Sequence, residues 1–141
     1  MGSVEIAVPP VPEYLQMVRA IVGAAAALDD RLQAGRVADV RLVVSEAVTN
    51  ALRAQAAVQA ADPILVRCDL RSDRIVVEVA DHGPGFDPSA VPDLPEVETP
   101  ERLRHESGLG VSLMRQLADS AVLDSGPDGT VAKLTFVVRD A

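Results

Sequence analysis

The chain has 141 residues, 48% of them hydrophobic, and a formal net charge of -8, which together indicate one globular domain and exclude a disordered chain. Its single Lys and twelve scattered Arg exclude a direct nucleic-acid surface, because neutralising phosphates requires clustered cations. No apolar run approaches the roughly 18 residues of a membrane span and no signal peptide is visible, so no membrane association is expected.

The first half of the chain predicts a strand and two helices. Residues 3–8 alternate in polarity and predict a short strand that ends at Pro9. Apolar residues recur at helical spacing from Glu13 to Leu28 and again from Arg36 to Ala57, so an amphipathic helix is predicted over each range. The second helix is expected to bury a stripe of small aliphatic residues: Val37, Val40, Val44, Ala47, Val48 and Ala51.

A hairpin and a long loop are predicted next. Residues 64–70 and 75–80 alternate between apolar and polar side chains across a polar turn, which is typical of two antiparallel strands. Cys68 lies on the apolar side of the first strand and is expected to be buried; as the only cysteine, it also favours a reducing, cytoplasmic location. Residues 82–106 contain five prolines and no periodic pattern. Because long loops in compact domains are usually functional or disordered, we interpret about residues 86–107 as a lid over a ligand.

The last part of the chain predicts a helix over residues 108–118, which opens on glycines. A second hairpin is predicted from residues 120–124 and 131–138 across the turn Ser125–Gly129. No repeat or boundary interrupts the pattern, so residues 1–141 are predicted to form one domain. This order of elements indicates an α/β two-layer sandwich whose mixed, mostly antiparallel sheet carries the helices on one face.

The first of three chemical motifs lies on the second helix. Glu46 and Asn50 are four residues apart and therefore share one helix face. Asn can give a metal ion an oxygen ligand, and Glu can orient or deprotonate an attacking hydroxyl or water. Taken alone, the spacing also fits an exposed polar pair without a role, since such pairs are common on solvated helices.

The other two motifs are rich in glycine. The run Asp81–Gly85 directly follows a strand; its glycines let the backbone approach a ligand closely, and its carboxylate can accept the exocyclic amine of adenine. The run Ser107–Gly110 opens a helix, where backbone N–H groups and the helix dipole favour phosphate. For each motif alone, an ordinary Gly/Pro turn or an ordinary helix start remains the alternative.

The three motifs in this order resemble the GHKL ATPase superfamily, which includes histidine kinases, gyrase-type topoisomerases and mismatch-repair proteins. Glu46 to Asn50 looks like its N box, Asp81–Gly85 like its first glycine box and Gly108–Gly110 like its second. The resemblance covers nearly the whole chain and implies the Bergerat-type fold. It is greatest to the bacterial anti-sigma factor serine/threonine kinases, through the run SEAVTNA, the compact length and the GLG helix.

The resemblance implies a site for ATP and Mg²⁺. Glu46 would act as general base or orient the attacking serine, Asn50 would coordinate Mg²⁺, and Asp81 would bind the adenine amine. The other residues implied around the nucleotide are Gly83, Gly85, Arg104, Ser107, Gly108, Leu109, Gly110 and Thr130. Arg19 matches a first-helix arginine that contributes to partner recognition in the family.

The resemblance also implies a function, namely an anti-sigma factor that binds a sigma factor and phosphorylates a STAS-domain antagonist, as a homodimer. Two departures from the family pattern favour a rival. A His often follows the N-box Asn by four residues, where this chain has Ala54, and a basic residue often precedes Ser107, where it has Glu106. The rival is a nucleotide-gated, catalytically weak or inactive regulator that binds a partner; a simple ATP hydrolase is a third hypothesis.

Overall fold

A computed structural model describes residues 2–90 and 106–138 of the chain. Within these residues there are five strands, three α-helices and two short 3-10 helices. The strands are β1 (Gly2–Val8), β2 (Ile64–Leu70), β3 (Arg74–Ala80), β4 (Ser120–Gly126) and β5 (Gly129–Val137). The helices are α1 (Leu15–Ala26), α2 (Ala34–Ala57) and α3 (Glu106–Leu117), and the 3-10 helices are Pro12–Tyr14 and Pro88–Ala90.

The strands form one sheet in the order β1-β2-β3-β5-β4. Each neighbouring pair that the structure describes is antiparallel. Alternate side chains therefore point to one face, and the register places Cys68 opposite Val77 and Val77 opposite Leu134, all three buried. The predicted α/β two-layer sandwich is confirmed. The sheet was predicted to be mixed and mostly antiparallel, whereas every described pair of strands is antiparallel.

The helices cover one face of this sheet, with α2 in the centre. Helix α2 packs against α1, α3 and the strands, and its Val40, Val43 and Val44 are fully buried. The core is aliphatic, and Phe136 is the one aromatic side chain of the described core. Because each buried aliphatic side chain contributes about 1.5–3 kcal/mol, this interface fixes α2 against the sheet and so fixes the N-box residues in place.

The Cys68 thiol is part of this core. Its side chain is almost wholly buried, and burial, with a smaller contribution from the neighbouring Asp69 carboxylate, raises the pKa of the thiol to about 11. The thiol therefore stays protonated at neutral pH, and the prediction that Cys68 is a packing residue is confirmed.

The C-terminal end of α3 is tied to α2 by one arginine. Arg36 donates to the Leu117 carbonyl oxygen and forms ion pairs with Asp39 at 3.1 Å and Asp119 at 2.7 Å. Its guanidinium also lies 5.1 Å from the centre of the Phe136 ring, within reach of a cation–π interaction. Helix α3 is thus fixed at the end opposite its glycines.

Several predicted boundaries differ from the structure by about two residues, among them those of the first helix, predicted over Glu13–Leu28 and observed over Leu15–Ala26. Two of the differences affect the site. The last helix begins at Glu106 rather than residue 108, so Gly108 and Gly110 lie inside the helix instead of opening it. The turn predicted over Ser125–Gly129 is shorter, because β4 continues to Gly126, which pairs with Gly129. As a result Ser125 lies opposite Thr130 in the sheet.

None of the helices among the described residues is both long enough and apolar enough to cross a membrane.

Candidate nucleotide-binding site

A cavity of about 320 Å³ lies between α2, α3 and strands β3, β4 and β5. This volume is at the small end of the range for small-molecule sites. Four of the predicted site residues line it: Asn50, Asp81, Gly85 and Thr130. The other lining residues are mostly apolar: Ala47, Arg53, Ala54, Ala57, Val79, Pro84, Phe86, Val111, Met114, Leu123 and Ala132. The site therefore combines an aliphatic wall with a few polar groups, as ligand pockets commonly do.

The carboxylate of Asp81 lies immediately after β3 and is held by one of its two oxygens. Oδ1 accepts the backbone N–H of Gly83 at 2.8 Å and that of Thr130 at 3.3 Å. The Asp81 N–H in turn donates to the Thr130 carbonyl oxygen at 2.9 Å. No described residue donates to Oδ2. Since Asp81 lines the cavity, Oδ2 is available to accept a hydrogen bond from a ligand.

Two glycines let the loop after Asp81 pack closely on both sides. A Cβ atom added at Gly83 would lie 2.5 Å from the Cβ of Ala54, so only glycine allows the loop to approach α2 this closely. Gly85 has a φ of +78°, and a Cβ there would lie 2.1 Å from the carbonyl oxygen of Gly126. The loop is consequently fixed between α2 and the β4–β5 hairpin, and the small Ala54 is the side chain against which Gly83 fits.

Two of the three motifs meet near the start of α3. A Cβ atom added at Gly110 would lie 3.1 Å from Oε2 of Glu46 and 3.2 Å from Oδ1 of Asn50. Both side chains are half-buried, and neither forms a hydrogen bond with another described residue. The second glycine motif therefore packs directly against the side chains of Glu46 and Asn50, and the polar groups of both remain available to a ligand.

In the described ranges 2–90 and 106–138, no group of three or more His, Cys, Asp or Glu side chains is arranged so that it could hold a metal ion. A cation at this site would therefore depend on the Asn50 oxygen together with oxygens of the ligand. Mg²⁺ bound to nucleotides is commonly held in this way, by one or two protein ligands and the phosphates. The donor set fits Mg²⁺ bound with a nucleotide better than a metal bound by the protein alone.

Gln55 is a buried polar residue that the sequence analysis missed. Its side chain is fully buried in α2. Its Oε1 accepts the backbone N–H of His82 at 3.0 Å, while Nε2 donates to the carbonyl oxygens of Asp62 at 2.7 Å and Ala60 at 3.3 Å. Gln55 thus connects the N-box helix to the loop that carries Asp81. The signal was present in the helical stripe, because position 55 continues the buried spacing of Val44, Val48 and Ala51.

Ser125 was missed because it was assigned to a turn. Its hydroxyl oxygen accepts the backbone N–H of Phe86 at 2.8 Å and lies 2.7 Å from Oγ1 of the buried Thr130. Ser125 therefore joins the far end of the Asp81 loop to the hairpin that forms the floor of the cavity.

The model of the histidine kinase-like ATPase domain family matches residues 8–136. The chain belongs to the histidine kinase-like ATPase family. The serine-protein kinase RsbW of Bacillus velezensis is 31% identical to this ATPase domain over 144 residues, which cover 95% of the chain and 85% of that protein. The anti-sigma F factor of Caldanaerobacter subterraneus is 32% identical over 120 residues, covering 83% of the chain and 80% of that protein.

Two solved structures share the fold of this ATPase domain. The RsbU and RsbW domains of a Mycobacterium tuberculosis protein match it with a TM-score of 0.71 and 22% identity, over 100% of the chain and 34% of that longer chain. The SiaB–SiaC complex from Pseudomonas aeruginosa matches with a TM-score of 0.62 and 14% identity, over 96% of the chain and 89% of that chain. The predicted resemblance to this ATPase superfamily and the predicted fold are both confirmed.

Some predicted site residues of this ATPase domain lie outside the described structure or away from the cavity. Gly108 lies in the first turn of α3 with Ser107 and Leu109, whose side chains are outside the described part of the structure. Arg104 and most of the predicted lid lie outside the described residues. Arg19 lies on α1, away from the cavity, and lines a separate groove with Arg41.

Proposed function

We propose that this protein is an anti-sigma factor with serine kinase activity, which transfers the terminal phosphoryl group of Mg-ATP to a STAS-domain antagonist. The observation that carries the proposal is the meeting of Glu46, Asn50 and Gly110 beside a cavity whose wall holds Asp81. A carboxylate, an amide oxygen and the start of a helix lie together in this arrangement. This supports the proposal because phosphoryl transfer uses a group that orients the nucleophile, a metal ligand and donors to the phosphates. The names of the curated relatives, serine-protein kinase and anti-sigma F factor, support the same activity.

ATP would bind with its base in the apolar part of the cavity. The exocyclic amine of adenine would donate to Oδ2 of Asp81, whose other oxygen is already held by the backbone. The aliphatic side chains of Val79, Met114 and Leu123 would contact the two faces of the base. Thr130, buried beside Asp81, would complete this end of the site.

The phosphates would lie at the first turn of α3. We propose that Gly108, Leu109 and Gly110 would place the phosphates near the start of α3, where the helix dipole favours an anion. Asn50 would hold Mg²⁺ against the phosphates. We extend the proposal to Ser107 and Arg104, which would contact the phosphates when the lid covers the nucleotide.

Glu46 would act on the attacking serine. The serine hydroxyl oxygen forms a bond to the γ-phosphorus while the bond from that phosphorus to the β–γ bridging oxygen breaks, and ADP leaves with the bonding electron pair. The hydroxyl proton passes to the Glu46 carboxylate. A positioned base of this kind contributes about 10²–10⁴-fold to a rate, and bound Mg²⁺ supplies neutralisation of the phosphate charge.

The sigma factor, the antagonist and a second copy of the chain are the proposed partners, in the cytoplasm. The sheet face opposite the helices supports a homodimer, because Leu65 and Val131 are each 39% exposed there and Val122 is 56% exposed. Light scattering during size-exclusion chromatography would give the dimer mass at micromolar concentration; a monomer alone would contradict this part of the proposal.

Phosphoryl transfer tests the kinase proposal directly. The STAS-domain proteins of the source organism would be purified individually and incubated with the protein, γ-labelled ATP and millimolar Mg²⁺. We expect label on a serine of at least one of them, and far slower labelling when Glu46→Gln replaces the wild type. No transfer by the wild type to any of them would contradict the kinase activity.

The rival function is a nucleotide-gated regulator without catalysis, and one observation favours it. Ala54 stands where the resemblance implies a polar residue, and its Cβ is packed against Gly83 rather than against a ligand group. A Glu46→Ala variant separates the two functions. If this variant keeps both sigma-factor binding and its control by the antagonist, binding rather than catalysis is the function.

A further inference from the structure

One part of the wall of the nucleotide cavity is formed by Pro84, Gly85 and Phe86. The short 3-10 helix Pro88–Ala90, which is the described start of the predicted lid, follows directly. Among the described lining residues, Phe86 is the one aromatic side chain, and it is 40% exposed. Because an exposed side chain gains little from core packing, the place of Phe86 beside the cavity depends on how the backbone around it is held.

The backbone from Phe86 to Ser89 is locally stiff. Oδ1 of Asp87 accepts the backbone N–H of Ser89 at 3.0 Å and its hydroxyl group at 2.6 Å, which is the hydrogen bonding of an Asx turn. Pro88 lies between these two residues, and its ring fixes its φ angle. A side chain that holds Pro88 therefore also restricts Phe86, two residues earlier in the chain.

Two side chains from other elements bind this segment. The backbone N–H of Phe86 donates to Oγ of Ser125 on β4 at 2.8 Å. Nη2 of Arg115 on α3 donates to the carbonyl oxygen of Pro88 at 2.8 Å. Met114, the residue before Arg115, itself lines the cavity. Helix α3 thus forms one part of the cavity wall directly and holds another part through Arg115.

The bond to Pro88 differs from the usual contacts of an arginine near the end of a helix. Arg115 lies in the last turn of α3, where a cation commonly interacts with the helix dipole and the final carbonyl groups. The Leu117 carbonyl oxygen is bound by Arg36, whereas Arg115 reaches a carbonyl group 27 residues earlier in the chain. Arg115 therefore connects α3 to the segment that carries Phe86.

We propose that Arg115 is a positioning residue for the nucleotide, which holds the segment from Phe86 to Pro88 in the geometry that binds ATP. Without this bond the segment occupies more conformations, and the apparent affinity falls with the fraction of molecules that keep the binding geometry. One exposed hydrogen bond limits this loss to about tenfold. The inference rests on the proposed binding of Mg-ATP in the cavity and assigns a role to a residue that the sequence did not indicate.

Removal of the bond is the first test. Arg115→Met keeps the length of the side chain without its donors, and Arg115→Lys keeps the charge and a donor. We expect Arg115→Met to weaken Mg-ATP binding by about three- to tenfold in calorimetry, and Arg115→Lys to recover part of the loss. In the transfer assay, the KM for ATP should rise while kcat changes little. Arg74→Met removes the same charge at the end of β3 far from Asp81 and is the matched control, for which the wild-type affinity is expected.

Amide hydrogen exchange is the second test, because it reports on the segment itself. In Arg115→Met without nucleotide, we expect the Phe86 N–H to exchange faster than in the wild type. The Asp81 N–H, which donates to Thr130, should exchange at the wild-type rate. The urea midpoint should not change, because Arg115 is exposed and lies outside the core. An arginine that only stabilised the fold would instead change the urea midpoint and the exchange of both amides.

The possible results separate this inference from the kinase proposal. If Arg115→Met binds Mg-ATP as the wild type does, if Arg74→Met weakens binding equally, or if the Phe86 N–H exchanges at the wild-type rate, the positioning role is overturned and the kinase proposal stands. If Arg115→Met alone weakens ATP binding but the wild type transfers no phosphate to a STAS-domain protein, the positioning role is supported and the kinase proposal fails. If the wild type binds no ATP, both are overturned.

Discussion

The two ends of the nucleotide cavity are built differently. At the adenine end, Asp81 is hydrogen-bonded to the backbone of Gly83 and Thr130, and Gln55 and Ser125 hold the same loop from either side. At the phosphate end, Glu46 and Asn50 lie against Gly110 but form no hydrogen bond with any described residue. At the adenine end, one oxygen of Asp81 is hydrogen-bonded within the protein and only Oδ2 is available to a ligand. At the phosphate end, the polar groups of both Glu46 and Asn50 are available.

Because of this difference, the two ends are expected to contribute differently to folding stability and to the reaction. Groups that are bonded within the protein contribute to folding, so their removal costs both stability and ligand affinity. Groups without protein partners contribute little to folding, so their removal is expected to affect the reaction alone. Substitutions at the two ends should therefore give opposite patterns when unfolding and activity are measured together.

The largest expected effect is that of Glu46→Gln. This change removes the proposed base while keeping the size of the side chain, so we expect transfer to the antagonist to fall by about 10²–10⁴-fold. Affinity for Mg-ATP and the midpoint of thermal unfolding should stay unchanged. Glu13→Gln, on the exposed surface of the first 3-10 helix, is the control. If Glu46→Gln unfolds more easily but keeps the wild-type rate of phosphoryl transfer, Glu46 contributes to stability and not to the reaction.

Gln55→Leu is expected to have the largest effect on stability. It removes the three hydrogen bonds of a fully buried side chain, so we expect the free energy of unfolding to fall by about 3 kcal/mol. Urea denaturation measures this loss, and calorimetry with Mg-ATP should show weaker binding as well.

Gln33→Leu is the matched control for Gln55→Leu. Gln33 is exposed at the N-cap of α2 and its side chain makes no capping hydrogen bond, so a change within about 0.5 kcal/mol is expected. If both variants unfold at the same urea concentration as the wild type, Gln55 does not hold the adenine loop.

Asp81→Asn tests the free oxygen at the adenine end. The amide oxygen of Asn can still accept the N–H groups of Gly83 and Thr130, but the NH₂ group that replaces Oδ2 is a donor and faces the adenine amine. We expect ATP affinity to fall by about 10- to 100-fold and the ratio of the affinities for ATP and GTP to decrease. The free energy of unfolding should change little. Asp128→Asn, in the exposed turn between β4 and β5, is the control and should bind ATP as the wild type does. If the two variants bind ATP with equal affinity, Asp81 does not contact the nucleotide.

Ser125→Ala should give the smallest measurable change. It removes the acceptor of the Phe86 N–H and the partner of the Thr130 hydroxyl, which is expected to cost about 1 kcal/mol of unfolding free energy. Ser120→Ala, at the exposed start of the same strand, is the comparison. A loss at Ser125 no larger than the loss at Ser120 would show that the far side of the loop is not held by this hydroxyl.

The fold and the motifs could be predicted from the sequence because they depend on local patterns. The alternation in residues 64–70 and 75–80 and the valine stripe of α2 both indicate directly which side faces the core. Asp81 could be identified because a carboxylate followed by glycines after a strand is a local signal. The part each residue plays at the two ends stays a prediction until these variants are measured.

Contacts between distant residues could not be predicted from local patterns. The bond from His82 to Gln55 spans 27 residues, and the contact of Gly23 with Arg41 joins two helices. The hairpin turn was misplaced because Ser125 and Gly126 are residues that turns favour, whereas pairing with β5 keeps them in the strand. Such features follow from packing, which a single sequence does not report.

Calorimetric titration of the wild type, Asp81→Asn and Glu46→Gln with Mg-ATP tests the central claim most directly. If the adenine end provides binding and the phosphate end provides chemistry, the wild type binds one ATP per chain, Asp81→Asn binds it much more weakly and Glu46→Gln binds it as the wild type does. A wild type that binds no ATP at millimolar concentration, or a Glu46→Gln variant that loses as much affinity as Asp81→Asn, would contradict the claim.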